Sequence, residues 1–424
     1  QGRLARAVPG PERRSQVSPR CAWGLAVGHP AMNVIVPLGG LGSRFQTEGY
    51  GRPKPFIRIL GKEMILWVLD NLTLGPDDDL VIVFNPAFLS MDNFMQEVVQ
   101  ARYPRTTLVE LAGPTRGAAE TVLLGLQGIS EKQRSRPCML CDGDCFYTVD
   151  IVSKYRAVSS SHNGTFVFKD TQPKPIYSYV TVKDGTNDVV DIKEKVKISD
   201  FANTGCYCFK NGCELEKYCK KIIDAGQMQL SQDQKGEFYT SGVIKAMLDD
   251  QMPCKMLMLE KTDLHVLGTP AQVEEWCRDW PRQPRRCVVF NLDGTLVTPP
   301  QGDDLSKVRP IARNIEYLRQ LHEQGHHIVV STSRSAQYPA SSDVEAVTRR
   351  TLASLSIPYH ELDFSKPHAD IYVDALAVDP VQGSLAKQVG FYPTAVKASD
   401  DGARRSATVA TSSAGKLTER FLLP

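Results

Sequence analysis

A glycine-rich turn follows the first apolar run of the chain. Val34-Ile35-Val36 leads into Pro37-Leu38-Gly39-Gly40-Leu41-Gly42-Ser43-Arg44-Phe45, and Arg52-Pro53-Lys54-Pro55 comes soon after. Glycines just past a buried strand let backbone N–H groups turn inward and cradle phosphate. Arg44 and Lys54 add fixed positive charge beside them. The turn is not a dinucleotide fingerprint: Gly40-x-Gly42 lacks the third glycine, and no helix is expected to open directly. It is not a P-loop either, since the Gly-Lys-Ser/Thr ending is missing. Two further groups are chemically suggestive. Asp142-Gly143-Asp144 ends an apolar run, and Glu194-Lys195 sits in the charged run Asp191–Lys197. In isolation the first reads as a tight turn and the second as a solvated strand edge. Cys138-x-x-Cys141, Cys145 and Cys206-x-Cys208 lie in strand-like stretches, and no second ligand pair has zinc-site spacing.

The elements that must position these residues alternate. Strands are expected at 33–37, 80–84, 107–111 and 138–141, with helices near 64–71, 91–102 and 117–127. This order argues for an α/β fold, a mainly parallel sheet with helices on both faces. Closely spaced strand-like segments at 165–168, 177–183, 188–193 and 204–209 suggest an antiparallel addition, making the sheet mixed. A second series has strands at 287–291, 327–331 and 370–373 and helices at 311–324 and 343–355. The reading is a domain over 32–278, a basic, proline-interrupted linker over 279–286, and a smaller α/β domain over 287–397. Residues 1–31 carry five arginines against one acid, Glu12. They read either as an Arg-rich targeting segment or as a leader ahead of a start at Met32. Residues 398–424 have the composition of a disordered tail.

Composition bounds the partners. With 50 Lys and Arg against 48 Asp and Glu, the formal charge is +2. Nothing here implies nucleic-acid or membrane-surface binding, and no apolar run approaches the length of a membrane span. Eleven scattered cysteines argue for a reducing compartment, the cytoplasm, or an organelle if 1–31 is a targeting segment. Oligomeric state leaves no mark.

The ordered set of motifs resembles the sugar nucleotidylyltransferase family over about 240 residues. Gly-Gly-x-Gly-Ser-Arg, then Pro-Lys-Pro, then Gly61-Lys62-Glu63-Met64-Ile65 is similar to the family's nucleotide-binding opening. The resemblance implies a Rossmann-like domain and nucleotide contacts at Leu38, Gly39, Gly40, Gly42 and Ser43. Gly113-Pro-Thr-Arg-Gly117-Ala118-Ala119-Glu120-Thr121 looks like the base-binding segment, implying contacts from Gly113, Gly117, Ala118, Glu120 and Thr121. Asp142 or Asp144 stands where the family keeps a magnesium-binding Asp. Glu194-Lys195 and Asn203-Thr204-Gly205 look like the acceptor-binding pair and loop, and Leu267-Gly268-Thr269-Pro270 like the closing motif. One departure is plain: the family's second metal-binding Asp, two residues before the closing Gly-Thr, is Val266 here. Asp263 and His265 are near but out of register.

Residues 287–374 resemble the haloacid dehalogenase superfamily. Cys287-Val-Val-Phe-Asn291-Leu-Asp293-Gly294-Thr295 is similar to its first motif, Thr332 stands where a phosphoryl group is held, Lys366 in the lysine motif, and Asp370-x-x-x-Asp374 in the acidic motif. The nucleophile position carries Asn291. An amide neither attacks phosphorus well nor binds Mg²⁺ as a carboxylate does, and Ala375 follows Asp374 where many relatives have a second acid. The domain is expected to keep the fold and lack phosphoryl transfer, with Asn291→Asp restoring weak activity.

The function implied is a Mg²⁺-dependent nucleotidylyltransferase of nucleotide-sugar biosynthesis, passing a nucleoside monophosphate from an NTP to a sugar 1-phosphate or similar phosphorylated acceptor. Arg44 and Lys54 are expected to hold the triphosphate, and Lys195 the acceptor phosphate. The alternatives are a bifunctional transferase–phosphatase and a non-catalytic, metabolite-binding regulator.

Overall fold

The computed structural model describes residues 30–85, 94–230, 236–279, 285–302, 304–339, 343–369, 377–381 and 383–392. Expectations for 1–29, the helix start at 91–93, much of the 279–286 linker, the strand at 370–373 with Asp374, and 393–424 fall outside these residues.

A nine-stranded mixed sheet forms the frame. Its parallel half places Asn33–Leu38 between Asp79–Phe84 and Cys138–Leu140, with Thr106–Glu110 at the edge. Cys138–Leu140 then pairs antiparallel with the long strand Phe201–Phe209. That strand continues the sheet to Ser178–Val182 and Val189–Glu194, and also pairs with Asn163–Lys169. Cys254–Met258 adds parallel to Asn163–Lys169. The strands are near-continuous apolar runs because both faces are covered. Val34, Val36, Leu80, Ile82 and Phe84 face one core, while Ile35, Val81 and Val83 face the other. The second core is closed by the helices Ala118–Gln127, Gly212–Asp224 and Thr240–Asp249, which bury Val122, Leu126, Leu215, Ile222, Val243 and Met247.

A second, three-stranded parallel sheet runs Cys287–Asn291, His327–Ser331, Glu361–Asp363. The last strand was not anticipated from sequence; at three residues it is too short to show a period. Helices Ala312–Glu323 and Val344–Ser354 belong to this part. A third apolar core is shared by both α/β parts: Phe45, Tyr50, Ile57, Ile59, Leu60 and Met64 join Phe290, Leu296, Tyr317, Leu318, Phe391 and Tyr392. Among the described residues, no helix is long and apolar enough to cross a membrane.

Candidate active site at the strand ends

The glycine-rich turn leaves the C-terminal end of the central strand Asn33–Leu38, the edge where open α/β sheets present ligands. The Leu38 side chain is buried in the core and packs against Gly143, so its contribution is support from below. A Cβ at Gly39 would lie 2.6 Å from the Thr121 hydroxyl, whereas Gly40 has open space around it. Gly42 takes left-handed backbone (φ 66°), and a five-residue helix, Ser43–Thr47, follows at once. This corrects the expectation that no helix opens there. Its single apolar anchor, Phe45, leaves no periodicity to read. Ser43 and Arg44 are on the exposed side of this helix.

Lys54, at the start of a short turn (Lys54–Phe56), makes an ion pair with Asp144. Asp142 lies beside this pair. Burial first, and the Asp144 carboxylate next, push its carboxyl well above the usual range; Lys54 pulls it back, and Glu194 pushes it further up. Two carboxylates and the Lys54 ammonium thus share one place.

Gly205 bears directly on Asp142. The strand Phe201–Phe209 bulges between Asn203 and Tyr207, where four residue steps face two on Asn163–Lys169. Gly205 sits in the bulge at φ 88°, and a Cβ there would overlap the Asp142 carboxylate. Asn203 and Thr204 build the bulge. The Asn203 amide nitrogen donates to Thr165 Oγ1 (2.7 Å), and its Oδ1 accepts from the Gly205 N–H (2.7 Å). Thr204 Oγ1 accepts from Tyr147 Oη (3.1 Å) and from the Cys206 N–H (3.3 Å). Both side chains are buried. These side chains shape the backbone beneath Asp142.

Glu194 ends the strand Val189–Glu194, and Lys195 follows it. The Glu194 carboxylate accepts from Ser178 Oγ (2.5 Å) and Ser241 Oγ (2.8 Å). Lys195 adopts left-handed backbone (φ 53°), rare for a residue with a side chain, and its Nζ donates to Tyr239 Oη (2.8 Å). With side chains 10% and 23% exposed, Glu194 and Lys195 are not a fully solvated strand edge. Tyr239, Ser241 and Ser178 were not anticipated, because nothing in their local pattern ties them to a charged pair 16 to 47 positions away.

The segment Gly113–Thr121 folds against the same region. Gly117 packs on the Phe238 backbone, which accepts from the Ala119 N–H (2.9 Å), and Thr115 and Thr121 share a hydrogen bond (2.7 Å). Ala118 opens the helix Ala118–Gln127. The Glu120 carboxylate, assigned above to the nucleotide, accepts from the Arg116 backbone N–H (2.6 Å) and guanidinium (2.9 Å). Those side-chain bonds hold it below its ordinary range, so it closes its own loop. Gly113 has open space around it.

Val266 lies where its register in sequence put it. Leu264–Val266 pairs with Cys145–Tyr147, the Leu267 N–H donates to the Asp144 carbonyl (2.7 Å), and Gly268 packs on the Asp144 carboxylate. Asp263 is turned elsewhere: its carboxylate accepts the Glu260 N–H (3.1 Å). The His265 ring stacks near Phe146 and accepts from Trp276 Nε1 (3.2 Å). Neither replaces the missing carboxylate. Cys138, Cys141, Cys145, Cys206 and Cys208 are buried, and burial pushes the Cys138 thiol up to about 12.

In the second part, Lys366 Nζ donates to Asn291 Oδ1 (2.9 Å), and the Asn291 amide donates to the Asp293 carbonyl (2.6 Å). Both Asp293 oxygens accept from the fully buried Arg334, at 2.8 and 2.6 Å. The Thr332 hydroxyl accepts the Arg334 N–H (3.2 Å) and is buried. Arg334 was missed as a site residue; its signal was its place two residues after Thr332.

Residues 33–257 match the family model for nucleotidyl transferases. The chain belongs to the nucleotidyl transferase family. Residues 288–344 match the model for haloacid dehalogenase-like hydrolases. Among curated relatives, the bifunctional protein GlmU of Aquifex aeolicus (strain VF5) is 23% identical over 54% of this chain and 49% of its own length. The 2-C-methyl-D-erythritol 4-phosphate cytidylyltransferase of Azoarcus sp. (strain BH72) is 32% identical over 26% of this chain and 48% of its own. The mannose-1-phosphate guanylyltransferase catalytic subunit beta of Dictyostelium discoideum is 24% identical over 42% and 49%. The chain thus spans about half the length of the curated relatives it matches. A solved nucleoside-diphosphate-sugar pyrophosphorylase from Vibrio cholerae RC9 is 19% identical over 57% of this chain and 98% of its own, with a TM-score of 0.48.

Proposed function

We propose that this nucleotidyl transferase moves a nucleoside monophosphate from an NTP onto a sugar 1-phosphate or similar phosphorylated acceptor, releasing pyrophosphate. The observation that carries the reading is the junction of Lys54 with Asp144 at the mouth of the glycine-rich turn, with Asp142 beside it. An acceptor phosphate oxygen attacks the α-phosphorus in line. Both partners are anionic, so the site must screen repulsion and hold geometry. Lys54 and the exposed Arg44 balance the triphosphate and the charge passing to pyrophosphate. Lys195, hydrogen-bonded to Tyr239, would take the acceptor phosphate, and Glu194, held by two serines, the acceptor hydroxyls. The attacking phosphate is already ionised, so no general base is required. The mannose-1-phosphate guanylyltransferase and the 2-C-methyl-D-erythritol 4-phosphate cytidylyltransferase among its relatives support a phosphorylated small molecule as the acceptor.

A crowded carboxylate pair with one compensating ammonium fits a divalent cation. Asp142 and Asp144 would hold Mg²⁺, which neutralises phosphate oxygens when bound. Among the described residues, no three His, Cys, Asp or Glu side chains gather for a metal.

The haloacid dehalogenase-like part is proposed to lack hydrolysis: the nucleophile position is an amide tied to Lys366, and both oxygens of the acid/base position are tied to Arg334. The test of the whole reading is pyrophosphate release, screened with five nucleoside triphosphates against a panel of phosphorylated acceptors. Release with a defined pair is expected. Val266, an apolar side chain in the second metal position, favours the rival non-catalytic reading; nucleotide binding without pyrophosphate release from any pair would establish that instead.

A further inference from the structure

The segment that carries Lys54 has little regular structure of its own. Between Glu48 and Gly61 the described structure contains one three-residue turn (Lys54–Phe56) and the two-residue strand Arg58–Ile59. No long backbone ladder sets its position. Residues 387–392 touch it on both sides of Lys54.

Ahead of Lys54, Lys387 Nζ donates to the Glu48 carbonyl (2.6 Å), lies 3.7 Å from the Glu48 carboxylate, and sits 5.0 Å from the centre of the Tyr50 ring. The Tyr50 and Tyr392 hydroxyls share a buried hydrogen bond (2.6 Å). Beyond Lys54, the Leu60 N–H donates to the Gly390 carbonyl (2.9 Å), and Phe391 packs beside Gly61. Gly390 has left-handed backbone (φ 77°), and a Cβ there would overlap the Arg58 carbonyl. The same segment is anchored to the second α/β part: Tyr317 Oη donates to the Phe391 carbonyl (3.2 Å), and the Gln324 amide to the Tyr392 carbonyl (3.3 Å).

We propose that Lys387, Gly390 and Tyr392 are positioning residues for nucleotidyl transfer, forming a strap that holds the Glu48–Gly61 segment so that Lys54 reaches the phosphate site. This rests on the reading of Lys54 as a triphosphate contact. It gives the haloacid dehalogenase-like part a role that needs no phosphoryl chemistry of its own: it anchors the strap. The required accuracy is high, because a displacement of about 1 Å in a reacting constellation costs on the order of 10²-fold in rate.

The test is a cycle in the full-length protein. Gly390→Ala, Tyr392→Phe and Lys387→Met are made singly and on Lys54→Ala, and turnover, KM for the acceptor and Tm are measured. In the wild-type background the expected result is a loss of turnover of about tenfold to a hundredfold for Gly390→Ala, smaller losses for the other two, and an unchanged acceptor KM. On Lys54→Ala the strap substitutions should lower the residual turnover no further, since they act through that lysine. If Gly390→Ala does not fold, Tyr392→Phe and Lys387→Met carry the same comparison. Wild-type turnover in the strap variants beside an inactive Lys54→Ala overturns the strap alone. Equal losses with and without Lys54 also overturn it, since they mean general destabilisation. Normal turnover in Lys54→Ala sinks the underlying reading of the site instead.

Discussion

Lys54 and Arg44, the two cations proposed to hold the triphosphate, are held in different ways. Lys54 is already seated on Asp144, whereas Arg44 stands on the outer side of a short helix. Each supplies a charge-assisted phosphate contact in the proposed transition state, of the kind typically worth a few kcal/mol. Lys54→Ala and Arg44→Ala should therefore each lower turnover on the order of 10²-fold or more, with the fold intact by circular dichroism. Near-normal turnover in both would remove the glycine-rich turn from the chemistry. Asp142→Asn or Asp144→Asn should raise the Mg²⁺ needed for half-maximal activity, and excess Mg²⁺ should partly restore the rate. The pH dependence has a definite sign. The Asp142 carboxyl is raised by burial and by Asp144, so without metal it keeps its proton to higher pH than a free carboxyl. A cation must displace that proton, and the half-saturating Mg²⁺ concentration should rise as pH falls, by up to about tenfold per pH unit for one displaced proton. A Mg²⁺ requirement flat between pH 6 and 8 would contradict this. At Asn291 the structure changes an expectation. Asn291→Asp restores a carboxylate, yet Asp293 keeps both oxygens on Arg334. The single variant should stay silent in Mg²⁺-dependent phosphate release from a phosphomonoester, as should wild type. Robust release by wild type would favour the bifunctional reading.

The bulge in Phe201–Phe209 is the element that sets the carboxylate pair. Asn203 and Thr204 close it with side-chain hydrogen bonds, and Gly205 supplies the left-handed residue that meets Asp142. Gly205→Ala combines an unfavourable φ with overlap on the Asp142 carboxylate. It should weaken Mg²⁺ dependence and turnover together, and Asn203→Ala should do the same by loosening the bulge. An active Gly205→Ala variant with wild-type Mg²⁺ response would show that Asp142 does not need this support. The strands themselves were legible because apolar runs a few residues long, separated by turn residues, have few other fates. The bulge was not, since hydrogen bonds from Asn203 to Thr165 join residues 38 positions apart.

At the scale of the whole molecule, two sets of side chains far apart in sequence close one core. Phe45, Tyr50, Ile59 and Leu60 pack with Phe290, Tyr317, Phe391 and Tyr392. Truncation after residue 279 would uncover them, at about 1.5–3 kcal/mol for each large apolar side chain fully exposed. The shortened chain should lose cooperative thermal unfolding and aggregate. A soluble, cooperatively folding, fully active truncation would show that the first part stands alone. The haloacid dehalogenase-like part would then be neither cover nor anchor.

Much of this protein was decided by local sequence. The glycine-rich turn, the Lys54 and Asp142–Asp144 motifs, the Asn291 substitution and the order of strands and helices depend on short-range patterns: apolar period, turn residues, charged residues at strand ends. Motif order along the chain then marked the family, because several short signals in one order are far more specific than any alone. Tertiary structure decided which charges meet and which side chains are already spent. Glu120 is turned onto Arg116, Asn203 and Thr204 into a bulge, Asp293 onto Arg334, and the chain's late residues Lys387–Tyr392 onto the loop around Lys54. The physical reason is that hydrogen bonds and packing are satisfied in space. A carboxylate has the same letter whether it faces a ligand or a guanidinium, and only the folded chain says which.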